Sequence, residues 1–268
     1  MKSLNGTYSL SAEQKQFYRE NEFIKLKNVL SADEIAYFET VITDQVSRLS
    51  PNLAPLEARD TYGKAFIQIT NIWKRNEAVK QLVFSTRLAG IASTLMQVDG
   101  VRLYHDQALF KDAGGGYTPW HADQYYWPLE SPKCITAWIP LQQTSLAMGA
   151  LEFSAGSQHL LSARGLAISD DSEVAIEQML TASGCDRVIE PFDLGEVSFH
   201  SGWLYHRAAP NTTEHTRKVM CVIYMDKEMI LKAPSHADQQ RDWHTWCPGA
   251  RVGEPIDTPL NPILFETN

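Results

Sequence analysis

VRLYHDQALFKDAGGGYTPWHADQYYW, residues 101–127, is where the chain changes character. Two runs rich in β-branched and aromatic residues, 101–110 and 118–127, stand on either side of Gly114–Gly116, and the second holds a histidine and an aspartate two positions apart. The same texture continues in CITAWIPLQQT (134–144), GALEFSAGS (149–157), EVSFHSGWLYHRA (196–208) and KVMCVIYMD (218–226), separated by Gly, Pro, Asn and Asp. Short strands at that spacing predict an antiparallel sandwich or jelly roll. Residues 162–185 are polar and partly helical, as an insertion between strands would be. The triple glycine reads equally as a plain hairpin turn or as the hinge of a lid.

The preceding hundred residues follow a different pattern. Ser11 with Gln14, and Ser31 with Glu34, match the capping box, and each opens a helix. After Ser31, Ile35, Phe38, Ile42, Val46 and Leu49 recur at helical spacing, so one face of that helix packs. Phe23–Leu30 reads as a short strand, 50–55 as a loop, 65–73 as a strand and 85–97 as a helix. A tail rich in Pro and Gly, 246–262, closes the chain. The layout predicts one domain, mainly β with α additions. A helical N-terminal layer (1–100) packs on one sheet of a β core (101–230), residues 162–185 are inserted in it, and 231–268 wrap around it.

At 268 residues, with 44% hydrophobic and 21% charged side chains, the composition is globular and far from the disordered class. The net charge is −8 and no Lys/Arg cluster exceeds two residues, which argues against nucleic acid or an anionic membrane as partner. A small-molecule substrate is expected instead. The four cysteines, Cys134, Cys185, Cys221 and Cys247, have no C-x-x-C spacing and read as reduced thiols. The N-terminus has no apolar signal-like run and no 18-residue apolar stretch follows, so a cytoplasmic protein is expected.

On a strand, His121 and Asp123 point to the same face and can reach one ion. One more imidazole completes a 2-His-1-carboxylate facial triad, which leaves open positions on one side of Fe(II). By itself H-x-D is weak evidence, because hydrogen-bonded pairs on strands share it. The chain repeats HADQ at 236–239, but there a proline precedes it and polar residues follow without alternation, so that copy reads as loop. For the third ligand, HSGWLYHRAAPNTTEHTRKVM (200–220) offers His200, His206 and His215. His206 ends an aromatic strand segment before a Pro-Asn turn, and Arg217 begins the next apolar run. Two neighbouring antiparallel strands would place His206 beside the metal and Arg217 deeper, where a guanidinium without a protein partner calls for an anionic cosubstrate. His215 sits in a polar turn, and His200 remains the competitor to His206.

HAD with a later His, an Arg eleven residues beyond it, HDQALFKDAGGG upstream and GALEFSAGSQH between resembles the phytanoyl-CoA dioxygenase family. The likeness runs from about Phe23 to the closing DWHTWCPG. It implies a double-stranded β-helix (jelly-roll or cupin-like) and an enzyme that uses Fe(II), 2-oxoglutarate and O2, releases succinate and CO2, and usually hydroxylates an unactivated C–H bond of a small organic metabolite. On that resemblance His121, Asp123 and His206 match the iron ligands, and Arg217 matches the residue that pairs with the distal carboxylate of 2-oxoglutarate. Trp138 matches a tryptophan lining the cosubstrate pocket, and Gln107 falls where relatives contact the cosubstrate. Some relatives carry a hydroxyl two residues after the distal histidine or the arginine. Here those positions are Ala208 and Val219, which leaves Thr118 and Thr136 as the candidates for those contacts. Related halogenases replace the carboxylate ligand by a small residue, so Asp123 argues against halogenation.

Trp120, Tyr125, Tyr126 and Trp127 flank the metal pair and, with Trp73 and Trp203, are candidate substrate walls, although ordinary core packing accounts for each one singly. Two other classes share the motif: a β-helix protein that binds metal and a dicarboxylate without turnover, and a zinc hydrolase with the same ligands. Arg217 weighs against the hydrolase, which needs no buried anchor for a carboxylate.

Overall fold

The computed structural model describes residues 4–267. Both capping boxes form: Ser11 opens α1 (Ala12–Asn21) and Ser31 opens α2 (Ala32–Leu49), with β1 (Phe23–Leu26) between them. Next come α3 (Thr61–Ala65), β2 (Ile67–Thr70), α4 (Glu77–Val83) and α5 (Thr86–Met96). The β-rich half contains β3 (Gly100–Lys111), β4 (Thr118–His121), β5 (Cys134–Pro140), β6 (Leu151–Ser154), β7 (Arg187–Ile189), β8 (Val197–Ser201), β9 (His206–Ala208) and β10 (Arg217–Asp226). Helix α6 (Asp170–Ser183) fills the expected insertion, and α7 (Ala237–Trp246) and β11 (Ile263–Glu266) form the C-terminal wrap. No helix among the described residues is long and apolar enough to cross a membrane.

The strands form two antiparallel sheets. The larger runs β1-β8-β5-β10-β3-β11, with β2 also paired to β3; the smaller runs β4-β9-β6-β7. In β10, Met220, Val222 and Tyr224 pack among the residues of α2, α4 and α5, while Val219, Cys221, Ile223 and Met225 face the space between the sheets. The run VMCVIYM is continuously apolar because both faces of this central strand are covered. Arg217 has the parity of Val219 and therefore opens on the space between the sheets. A bulge in the β10–β3 ladder between Ile223 and Tyr224 lets Leu103 face the helices while His105, the partner of Ile223, faces inward.

Three local readings differ from the sequence expectation. First, β4 stops at His121 and Asp123 begins a single 3-10 turn, so the pair straddles a strand end. Second, EVSFHSGWLYHRA breaks into β8 in the large sheet and β9 in the small one. The break is at Gly202, where a Cβ would come within 2.7 Å of the Cys134 thiol. Third, the second HADQ copy is not loop: His236 precedes α7 and the other three residues begin it. Tertiary bonds stabilise that start, because Gln239 Nε2 donates to Tyr125 O at 3.0 Å and Gln239 Oε1 accepts from the Ser235 amide at 3.0 Å.

The start of β8 is tied to the β1–α2 connection through Gly195, whose carbonyl accepts from the Val29 and Leu30 amides. Gly195 has φ +83, and a Cβ there would lie 2.1 Å from Leu30 O. Gly195→Ala is therefore expected to lower the unfolding free energy by more than about 1 kcal/mol in urea titrations. A stability equal to that of the parent chain would contradict this packing.

Candidate metal and cosubstrate site

A cavity of roughly 530 Å³ lies between the two sheets. At its inner end β4 and β9 set His121 directly opposite His206, with ring centroids 4.2 Å apart. Each ring is oriented by a backbone carbonyl two residues before it: His121 Nδ1 lies 2.8 Å from Pro119 O, and His206 Nδ1 lies 3.0 Å from Leu204 O. Both Nδ1–H groups donate there, which leaves the Nε2 lone pairs directed at the cavity. Asp123 Oδ1 is 3.5 Å from His121 Nε2 and 3.8 Å from His206 Nε2. The ligand atoms of these three residues all lie within 4.8 Å of one another.

The carboxylate is fixed from behind. Thr136 Oγ1 donates to Asp123 Oδ2 at 3.0 Å, and His200 Nε2 lies 3.5 Å from that same oxygen. His200 thus faces the back of the carboxylate, while His121 and His206 face its front. Burial, with His121 and His200 nearby, pushes the His206 imidazole well below its ordinary range, so it is neutral. Burial also opposes charge on Asp123, but His206, His121 and His200 outweigh it and hold the carboxyl well below the usual value. Two imidazoles and a carboxylate converging on one side are a donor set that fits a divalent transition metal, with coordination positions open to the cavity.

Arg217 lines the other wall of this inner end. Arg217 is 2% exposed and lies with its guanidinium carbon 5.6 Å from the Trp138 ring centroid. Nη1 donates to Gly149 O, Nε has no partner, and no carboxylate pairs with this side chain among the described residues. Burial lowers it to about 10. Lys111, its register partner on β3, is fully buried, with Nζ donating to Gly116 O, to Thr118 Oγ1 at 3.3 Å and to Ala209 O at 3.2 Å. Burial, then Arg217, lowers the ammonium to about 6. A buried guanidinium with unused donors facing the cavity is costly until an anion meets it, so the wall fits a carboxylate.

Thr118 lies opposite Ala208 in the β4–β9 ladder and lines the cavity. Gln107 is oriented by a relay: Tyr62 Oη donates to Gln68 Oε1 at 2.9 Å, and Gln68 Nε2 donates to Gln107 Oε1 at 2.6 Å. The Gln107 NH2 is thereby left for the cavity, which Trp138 and Thr136 also line.

The aromatic residues divide into two groups. Tyr126 and Trp127 line the cavity, and Trp120, Tyr125, Trp73 and Trp203 lie outside its walls. Trp120, adjacent to His121, points the opposite way. Its ring sits between the Arg187 and Arg207 guanidinium groups at 4.6 and 4.8 Å, and its Nε1 donates to Glu177 at 2.7 Å. Tyr125 stacks on His236 at 4.3 Å, Trp73 packs against Phe84 at 5.1 Å, and Trp203 lies under Arg164 at 4.3 Å. Several wall residues carried no sequence signal, among them Tyr62, Phe66, His105 and Ile168. Asp238, Arg241, Asp242 and Trp246 also line the cavity. Their spacing of three and four would have marked one helical face had α7 been read as a helix.

The phytanoyl-CoA dioxygenase (PhyH) family model matches residues 18–219. A curated relative from Stutzerimonas stutzeri, described as a probable alpha-ketoglutarate-dependent hypophosphite dioxygenase, is 22% identical over 232 residues, covering 80% of this chain and 78% of its own. Among solved structures, the non-heme alpha-ketoglutarate-dependent carbocyclase SnoK from nogalamycin biosynthesis superposes with a TM-score of 0.79 at 22% identity, covering 96% of this chain and 99% of its own. The epimerase SnoN, in complex with Fe3+, alpha-ketoglutarate and nogalamycin RO, gives 0.75 at 23% identity, with 94% and 98% covered. EctD from S. alaskensis, with 2-oxoglutarate and 5-hydroxyectoine, gives 0.70 at 20% identity, with 95% and 90% covered. These likenesses establish a shared jelly-roll fold.

Removing the hydroxyl behind the carboxylate, Thr136→Val, is expected to weaken divalent-metal binding by roughly tenfold in an anaerobic titration. Unchanged affinity would contradict its orienting role. Lys111 also gives a pH signature. It holds its proton up to about 6 in the fold and up to about 10.4 when unfolded. Between those values the unfolded chain binds more protons, so this residue makes stability rise with pH from about 6 to 10. Lys111→Met should flatten the rise in unfolding free energy over that range relative to the parent chain, and parallel curves would contradict the assignment.

Proposed function

Because the chain belongs to the phytanoyl-CoA dioxygenase family, we propose that it is an Fe(II)- and 2-oxoglutarate-dependent dioxygenase that oxidises a small organic molecule, typically by hydroxylation, with release of succinate and CO2. The observation that carries this reading is the shared cavity: the His-Asp-His cluster and a buried guanidinium without a carboxylate open onto one space. A zinc hydrolase does not need that anchor; a silent binder of metal and dicarboxylate would share it and is separated by turnover.

When bound, the ferrous ion and 2-oxoglutarate supply the activation of O2, coupled to oxidative decarboxylation of the keto acid. The chain supplies position and a dry site. His121, Asp123 and His206 hold the metal, and the carbonyl bonds at Nδ1 keep both imidazoles in the binding tautomer. Arg217 receives the distal carboxylate of the keto-diacid, with Trp138 flanking it. Thr118 provides a hydroxyl opposite Ala208, where some relatives carry their own, and Gln107 presents its amide NH2 from the neighbouring strand. Tyr126 Oη accepts from the Ile168 amide at 2.8 Å and so joins the inserted segment to the cavity wall, which limits entry of water beside the metal. An acidic chain without a basic cluster favours a free metabolite over a CoA thioester, and three buried thiols suit the reducing cytoplasm.

Anaerobic addition of Fe(II) and 2-oxoglutarate is expected to give a weak visible charge-transfer band, followed by succinate release under O2. Absence of the band would overturn the reading, and a band without succinate under any substrate screen would favour the silent binder. Asp123→Ala should abolish succinate formation. Arg217→Met should raise the KM for 2-oxoglutarate by at least about tenfold while leaving Fe(II) affinity intact, and an unchanged KM would contradict the proposed anchor.

A further inference from the structure

Outward from the metal-binding end, the cavity is walled by α7, and on the dioxygenase reading this outer chamber is where substrate sits. Asp242 lines it and makes no ion pair among the described residues. The adjacent Arg241 pairs instead with Asp238, at 2.6 Å. Burial raises the Asp242 carboxyl to about 7, even though the Trp246 side chain hydrogen-bonds to it. The Trp246 ring stacks on a further polar group of this chamber, His105, at 4.4 Å. His105 is 3% exposed and lines the chamber; its Nδ1 has only a 3.4 Å contact to Asp106 O, and among the described residues no hydrogen bond is made by its Nε2. Burial holds it neutral, at about 4.

The charges at the inner end cancel once the site is filled. Lys111, lowered to about 6, is largely uncharged at neutral pH, and Arg241 is paired with Asp238. A ferrous ion, Asp123, Arg217 and a doubly charged keto-diacid sum to zero, so the carboxylate left uncompensated in the cavity is Asp242. The geometry points to a substrate that carries a protonated amine, held in the outer chamber with Asp242 as counter-ion, His105 as a further acceptor and the faces of Tyr126, Trp127 and Trp246 around its carbon skeleton. Aromatic faces beside a carboxylate suit an ammonium group twice over, through the ring quadrupoles and the opposite charge. A neutral alcohol leaves the half-buried Asp242 carboxylate without its ion, and a carboxylic acid is repelled by it.

The test is calorimetric titration of the full-length protein, loaded anaerobically with Fe(II) and 2-oxoglutarate, with 2-phenylethylamine, 2-phenylethanol and phenylacetate, which differ only in the head group. The charge-transfer band, recorded on the same sample beforehand, reports separately on the dioxygenase reading. The amine is expected to bind roughly tenfold more tightly than the alcohol, with the acid weakest. Asp242→Asn, which preserves shape, should remove that preference while leaving the affinity for the alcohol unchanged. Equal binding of amine and alcohol, no binding of the amine, or a preference that survives in Asp242→Asn would each overturn the proposal. Should the variant fail to fold, the three parent-chain titrations decide it alone.

Discussion

A guanidinium closed off from water, with one nitrogen unpartnered and no carboxylate beside it, is the constraint on which the rest of the structure depends. Arg217 begins a strand that is apolar on both faces from Val219 onward, and its own side chain is buried and directed into the space between the sheets. The desolvation cost of such a charge is large unless an anion completes it. Folding supplies only partial compensation, in the Gly149 carbonyl and the Trp138 ring. The site is therefore built to be finished by a ligand, and the ligand must be an anion that can also reach the histidine–aspartate cluster.

The second constraint is topological. One continuous segment, 196–208, supplies a strand to each sheet, so His200 and His206 approach Asp123 from different sheets. The small sheet fixes the His121–His206 separation through ladder register, and the large sheet provides Thr136 and His200 behind the carboxylate. Rigid strands on both sides give a preorganised site. On the face of β4 covered by α6, Trp120 is held between two arginines and bonded to Glu177 and Glu173 of α6, which braces the strand that carries His121.

Much of this was legible in the sequence because it rests on local signals. Capping boxes, period-2 alternation and Gly/Pro punctuation marked the helices and strands, and H-x-D with a later histidine and arginine marked the inner site. The resemblance to the phytanoyl-CoA dioxygenase family tied those pieces together. Tertiary effects were not legible. Alternation could not show that Trp120 and His121, adjacent in sequence, would be separated into an ion-pair network and a cavity. The second HADQ copy read as loop because its helix is stabilised by Gln239 and His236 contacts to the Tyr125 carbonyl, a partner far away in sequence. Missing that helix meant missing Asp242 and Trp246, and with them the chemistry of the outer chamber.

The central claim is that the buried arginine recognises the far carboxylate of a keto-diacid whose other end meets the metal. It is tested most directly by calorimetric comparison, on the anaerobic Fe(II)-loaded protein, of 2-oxoglutarate with 2-oxovalerate, which keeps the chain length and the keto acid but lacks the distal carboxylate. The account expects 2-oxoglutarate to bind about a hundredfold more tightly. Affinities within about twofold of each other would contradict it.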